Sequence, residues 1–266
     1  MNKVGLIAGG GTLPLEFIKS AKKQGDQVVV FALNQMALPE VEREADRIYW
    51  LDFGQYAKFM FLLVKERLRQ IALVGKVDKS VIYKDGQLDN DSREGLESLG
   101  DRSDYSILEE ATRRLAQVGV EVIDCKRYLS HLLPGKGVLG AVTPAGNVQK
   151  DIEFGFGMAK KLAEADIGQT VIVKDGAVVA VEAMEGTDAT IERASSIAGK
   201  GCVMVKVSRP QQDMRWDVPT VGIRTAEMLA ENGYTALAIE SARMYLLDRD
   251  EFIETADASG ITIQAL

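Results

Sequence analysis

Among the charged residues that crowd the stretch from Val178 to Gly222 are the carboxylates Glu182, Glu185, Asp188, Asp213 and Asp217 and the cations Lys206, Arg209 and Arg215. The acidic groups fall into two short patterns, Glu182-x-x-Glu185-x-x-Asp188 and Asp213-x-x-x-Asp217, on either side of an apolar run at 202–207. Carboxylates at strand ends, without histidine or cysteine ligands, suit a hard cation such as Mg²⁺ or Mn²⁺. Such a cation neutralises phosphate charge and helps make a nucleophile from water. Lys206, Arg209 and Arg215 supply the complementary chemistry, since ammonium and guanidinium groups clamp phosphate oxygens. Two readings of these residues stand side by side. One is metal-assisted cleavage of a phosphate bond; the other is solvated loops in which Thr187 or Asp188 caps a helix and the charges form ion pairs.

Bulk properties narrow the choice. With 266 residues, a net charge of −7 and a pI near 5.0, the chain is long enough for two cores and too acidic for a general nucleic-acid binder. The single histidine, His131, argues against serine–histidine hydrolysis and multi-histidine metal sites, and is itself read as a packed or surface residue. Cys125 and Cys202 lie far apart and match no zinc spacing; Cys202 reads as a small buried hydrophobe. The apolar run near the N-terminus is too short for a secretion signal or a membrane span, so a cytoplasmic protein is expected.

The elements that must position these groups follow from periodicity. Residues 3–8 read as a strand, Gly9-Gly10-Gly11-Thr12 as a tight turn, the following segment as a helix closing at Gly25, and 28–33 as a second strand. This β-turn-α-β opening predicts a parallel sheet with crossover helices. The glycine turn lets backbone amides approach an anion at a helix N-terminus. The spacing is not GxGxxG and no acidic residue ends the second strand, so a nicotinamide dinucleotide is disfavoured. Further strands are expected at 47–51, 71–77 and 120–124, helices at about 56–70 and 104–118, and a polar loop or poorly packed helix at 84–104. Gly75-Lys76 ends the strand at 71–77, on the rim where Gly9 to Thr12 also lies, and Lys76 is a candidate phosphate contact.

This predicts an α/β protein: a Rossmann-like N-terminal domain with a parallel sheet over 1–130, a glycine-rich linker or lid over 131–150, and a C-terminal catalytic α/β domain with a mixed sheet over 151–266. In the second domain a helix is expected from about Asp151 to Ala165. Asp175-Gly176, between two β-branched runs, is a hairpin turn. Strands at 202–207, 236–240 and 261–263 alternate with helices at 188–198, 224–231 and 248–259.

At these residues the chain resembles the metal-dependent UDP-2,3-diacylglucosamine pyrophosphatases of lipid A synthesis, the type unrelated to the metallophosphoesterase enzyme. The likeness spans nearly the whole chain through GLIAGGGTLP (5–14), LLPGKGVLGAVTP (132–144), VEAMEGTDATIERA (181–194) and KVSRPQQDMRWDVPTVG (206–222). It implies Mg²⁺-dependent hydrolysis at the α-phosphate, giving UMP and 2,3-diacylglucosamine-1-phosphate (lipid X). It also implies peripheral contact with the inner-membrane surface and a homodimer. The family's essential aspartate corresponds to Asp213 or Asp217, with Asp217 favoured. The family's Gly-Asp-Asp-like run in the first domain reads Gly100-Asp101-Arg102-Ser103-Asp104-Tyr105 here, which leaves the equivalent aspartate open. Candidate catalytic residues are therefore Asp217, Asp213 and Arg215, and candidate metal ligands Asp217, Asp213, Asp188 and Glu185. Candidate substrate contacts are Gly10, Gly11, Thr12, Lys76, Gly186, Thr187, Lys206, Gln211, Gln212 and Thr220. For the acyl chains, Leu132, Leu133, Val138, Leu139 and Trp216 are the apolar candidates. The competing readings are a non-catalytic sensor that binds a nucleotide-sugar or lipid, and a nicotinamide-dependent oxidoreductase.

Overall fold

The computed structural model describes residues 2–77, 89–97, 99, 104–215 and 218–266. They divide into two compact units, one from the N-terminus to Ser130 together with Met214 and Arg215, the other covering most of the remainder.

In the first unit β1 (Lys3–Ala8), α1 (Leu13–Lys23), β2 (Gln27–Leu33), α2 (Val41–Glu44), β3 (Arg47–Leu51), α3 (Tyr56–Glu66) and β4 (Gln70–Val74) follow one another. Next come α4 (Asn90–Glu97), α5 (Asp104–Gln117), β5 (Glu121–Val122) and α6 (Lys126–Leu129). The five strands form one sheet in the order β3-β2-β1-β4-β5, and every pairing is parallel. Near-continuous apolar strands such as QVVVFAL are what a sheet covered on both faces requires. The direction of winding reverses between β1 and β4, and open α/β sheets bind ligands at that switch point, outside the carboxyl ends of the strands. The expected Rossmann-like domain is present. α3 ends four residues earlier than the expected 56–70, because Arg67 takes a left-handed conformation and Gln70 already starts β4. Within the polar 84–104 stretch, Asn90–Glu97 is helical: Asp89 Oδ1 accepts the amide of Ser92 (2.8 Å) and supplies a first-turn partner.

The second unit contains β6 (Gly137–Val138), α7 (Gly146–Glu164), β7 (Thr170–Lys174), β8 (Ala177–Val181), α8 (Thr187–Ala198) and β9 (Val203–Lys206). It continues through β10 (Thr220–Val221), α9 (Ile223–Glu231), β11 (Ala236–Ile239), β12 (Tyr245–Leu246), α10 (Arg249–Ala258) and β13 (Thr262–Ala265). Its six-stranded sheet, β6-β13-β11-β9-β7-β8, is mixed as expected: β7 and β6 run against their neighbours. β10 and β12 form a separate parallel pair. One sheet face packs on α7, whose Ile152, Gly155, Ala159 and Ala163 meet Val171, Val173, Val203 and Val205. A Cβ at Gly155 would lie 2.7 Å from Val205 Cγ2, so that glycine sets how closely helix and sheet approach. The opposite face carries a larger core that includes Ile191, Met204, Leu229, Leu237 and Phe252.

The hairpin read at Asp175-Gly176 is there, with both residues at positive φ (51° and 76°) as a type I′ turn demands. The buried Asp151 of α7 accepts both turn amides, from Asp175 (2.9 Å) and Gly176 (2.7 Å). Residues 131–150, expected as a linker or lid, contribute β6 at the sheet edge and the first turn of α7, which starts at Gly146. Asp257 of α10 accepts the amide of Ala141 (2.9 Å), and Leu139 packs on the larger core. Leu132 is buried, whereas Val138 is partly exposed.

Candidate active site

Parallel strands β8, β9, β11 and β13 all end at one edge of the second sheet, and β7 starts there: Thr170 lies opposite Lys206, and Lys206 beside Ile239. The segments leaving this edge carry the charges singled out above. Lys206 closes β9, Glu182 follows β8, and α8 begins at Thr187 after Gly186, whose φ of 83° turns the chain into the helix. Lys206 Nζ donates to Thr187 Oγ1 (3.0 Å), and Thr187 Oγ1 donates in turn to Glu182 Oε1 (2.7 Å). Burial pushes the Lys206 ammonium below its ordinary pKa, while the nearby charges of Glu182 and Asp188 pull it back. Thr187 therefore does not cap α8 through its side chain; its hydroxyl joins the cation to a carboxylate. A cation held against the first residue of a twelve-residue helix is an arrangement that attracts phosphate oxygens.

Glu185 is differently engaged. Its carboxylate accepts from Arg193 (2.6 Å) and from the amide of Ala183 (3.1 Å). Its own backbone amide first, and Arg193 next, hold it below the usual carboxylate range. Among the described residues, no group of three or more histidine, cysteine, aspartate or glutamate side chains converges to hold a metal. Asp217, first among the expected ligands, lies outside the described residues, as does Trp216. The described carboxylates thus build no cage.

The loop from Val207 onward is held by a network that the sequence reading missed. Glu240, just past β11, accepts from the amide and hydroxyl of Ser208 (both 2.8 Å) and from Lys160 of α7 (2.9 Å). Arg243 donates to Ser208 Oγ (2.7 Å) and to the carbonyl of Arg209 (3.3 Å). Burial would raise the Glu240 pKa, but Lys160 and Ser208 outweigh it and the carboxyl stays below its ordinary range. The one available signal was a carboxylate at the end of an apolar strand, the same position that singled out Glu182. Gln212 turns back through its carbonyl to the amide of Arg209 (3.2 Å), Arg209 pairs with Asp166 (2.8 Å), and Gln211 is exposed. Asp213 follows in the same loop, and Thr220 opens β10.

Arg215 departs from this group. It belongs to the first unit, where its carbonyl accepts from Cys125 Sγ (3.6 Å) and its side chain lines a cavity with Glu121 and Asp124. Sequence proximity to Lys206 did not decide its neighbours.

In the first unit the glycine turn and Gly75-Lys76 meet, as their shared rim suggested. They meet through backbone: Gly10 N donates to Lys76 O (2.8 Å), Lys76 N to Gly10 O (3.0 Å), and Gly9 N to Val74 O (2.9 Å). A Cβ on Gly9 would sit 2.7 Å from Lys76 O, and one on Gly75, whose φ is +100°, 2.7 Å from Gly10 O. The amides of Gly9 and Gly10 are therefore spent on this bridge, and Gly11 and Thr12 carry what remains of the anion-facing turn before α1.

The comparisons with known proteins follow the division into units. A family model described as the LpxI N-terminal domain matches residues 3–132, and one described as the LpxI C-terminal domain matches 135–264. The UDP-2,3-diacylglucosamine pyrophosphatase LpxI of Caulobacter vibrioides is 30% identical over 99% of this chain and 97% of its own length. Among solved structures, N5-carboxyaminoimidazole ribonucleotide synthetase from Thermotoga maritima is similar at 16% identity and a TM-score of 0.25, covering 70% of this chain and 42% of that one. The biotin carboxylase domain of a thermophilic 2-oxoglutarate carboxylase is similar at 13% identity and a TM-score of 0.29, covering 65% and 35%. Neither of these two likenesses bears on function.

Proposed function

We propose that this chain, which belongs to the LpxI family, hydrolyses UDP-2,3-diacylglucosamine at its α-phosphate in lipid A biosynthesis. The observation that carries the reading is the match of both family models, which together span both units, with a relative of that activity aligned over 99% of the chain. Water adds to the α-phosphorus, the bond from that phosphorus to the bridging oxygen breaks, and the bridging oxygen leaves with the β-phosphate. The products are UMP and 2,3-diacylglucosamine-1-phosphate (lipid X). Lys206, with the amides opening α8, suits the diphosphate oxygens that gain charge as the bond breaks, and Thr187 fixes the direction of its ammonium. Glu182 and Asp188 oppose the effect of burial on that ammonium. The Glu240–Ser208–Arg243 network positions the loop that leads to Asp213 and Asp217.

A Mg²⁺ requirement is part of the proposal. Asp213 and Asp217 would hold the ion together with substrate phosphates, and it would supply charge neutralisation and a more acidic water. Contact with the inner-membrane surface, a cytoplasmic location and a homodimer belong to the same reading. Among the described residues no helix is long and apolar enough to cross a membrane, so the contact would be peripheral.

The test is release of UMP from UDP-2,3-diacylglucosamine, with Mg²⁺ or with EDTA, by the wild type, Asp213→Ala and Asp217→Ala. Turnover that is lost in EDTA and in one alanine variant, with substrate still bound, assigns the reaction and the key carboxylate. Lipid binding without UMP release under any divalent metal overturns the hydrolase and leaves a sensor.

A further inference from the structure

The first unit contains a partly open apolar cavity of about 240 Å³. Its floor is built by Ile7, Phe31, Leu51 and Leu73, near the carboxyl ends of β1 to β4, and its sides by Phe59 of α3 and Ala111 of α5. Several of the polar groups that line it are already hydrogen-bonded. Asp52 accepts from Asn34 (2.7 Å) and Gln55 (3.0 Å), and Arg114 donates to Glu110 (2.7 Å). Ordered water needs two to four polar partners, so this wall offers it little. Protein interiors are otherwise packed as densely as organic crystals. An engineered apolar cavity of about 150 Å³ stays dry and takes up benzene, and scaling from six carbons gives room for roughly ten here. Leu33, Asp52 and Val77 also line the cavity, which places it at the carboxyl ends of β1 to β4, the side on which open parallel sheets bind ligands.

We propose that this cavity holds one acyl chain of the lipid substrate and sets the chain length the protein accepts. This rests on the hydrolase reading above, which supplies an acylated ligand; the cavity supplies a place within the first unit that only an apolar ligand fits. Each methylene moved from water into the cavity should lower KM about fourfold, up to about ten carbons, with no further gain beyond.

The experiment is a series of UDP-2,3-diacylglucosamines of increasing chain length, assayed for UMP release with wild type, Ala111→Phe and the milder Ala111→Leu. Melting temperatures are measured on the same samples. Filling the cavity should raise KM for the long-chain substrate at least tenfold, flatten the chain-length profile, and leave the diacetyl analogue turned over as by wild type. Displacement of cis-parinaric acid reads the cavity without turnover: wild type should bind it and Ala111→Phe should not. If wild type releases UMP and the folded variants keep the wild-type chain-length profile, the acyl pocket is overturned and the hydrolase stands. If wild type releases no UMP, the hydrolase falls, and parinaric acid bound equally by wild type and Ala111→Phe overturns the pocket as well.

Discussion

Two charged clusters, one in each unit, each hold a lysine near a glutamate and are compensated differently. At the amino edge of the first sheet, the buried Glu66 of α3 accepts from Lys3, from Arg47 (2.7 Å) and from Tyr49 (2.6 Å). Burial alone would raise its pKa, yet these three donors hold it at about 2. At the carboxyl edge of the second sheet, Lys206 has one hydrogen bond among the described residues, to Thr187, and burial prevails over its two carboxylate neighbours. A charge whose partners are complete stabilises the fold. A charge left short of partners costs stability and gains from an incoming anion. The contrast separates a structural cluster from a binding one without appeal to residue type.

Breaking the second cluster should have the largest effect. Lys206→Met is expected to lower kcat/KM for UMP release about 10²–10³-fold, the usual loss on removing one donor from a developing charge. Its melting temperature should hold or rise, because an under-compensated buried cation is gone. A variant that keeps wild-type kcat/KM would show that Lys206 is not the phosphate partner.

The first cluster should respond in the opposite sense. Glu66→Gln is expected to lower unfolding stability by ~2–3 kcal/mol at neutral pH, read from urea titrations, with UMP release unchanged while the protein is folded. The sign with pH follows from a folded pKa of about 2 against an ordinary 4.5. The stabilisation is fully present above pH 4.5 and is lost as pH falls towards 2. Wild type should therefore lose its advantage over Glu66→Gln across that window, and parallel stability curves would contradict the cluster. For Lys206 the linkage has the other sign. A folded pKa below 10.5 means the penalty is fully present below the folded value and is relieved as pH rises from that value towards 10.5.

Smaller effects sharpen the comparison. Gly75→Ala should cost on the order of 2 kcal/mol in melting experiments, since a Cβ would press on Gly10 O at a positive φ. Thr187→Val should raise KM several-fold, and Thr187→Ser should restore it, because the hydroxyl aims the ammonium. If valine matches wild type, Thr187 is only a first-turn residue of α8.

How much of this was legible in the sequence differs by length scale. The parallel character of the first sheet followed from apolar runs alternating with helical stripes, and the hairpin from Asp175-Gly176, because each is encoded within a few neighbouring residues, whereas the strand order was not. Two-residue strands such as β6, β10 and β12 were not legible, since so short a segment has no period. The glycine turn was legible as a close approach, but its partner atoms, the backbone of Gly75-Lys76 rather than a ligand alone, lie more than sixty residues away.

Fold class, the presence of a single histidine and the family likeness were thus determined by the sequence on its own, through local pattern and residue type. Only the tertiary structure decided which charges are satisfied. Glu66 meets Lys3 across 63 residues, Ser208 meets Glu240 across 32, and Arg215 joins the first unit although Lys206 belongs to the second. The physical reason is that burial and hydrogen-bond completeness are properties of a surrounding shell, and that shell is assembled from segments distant in the chain.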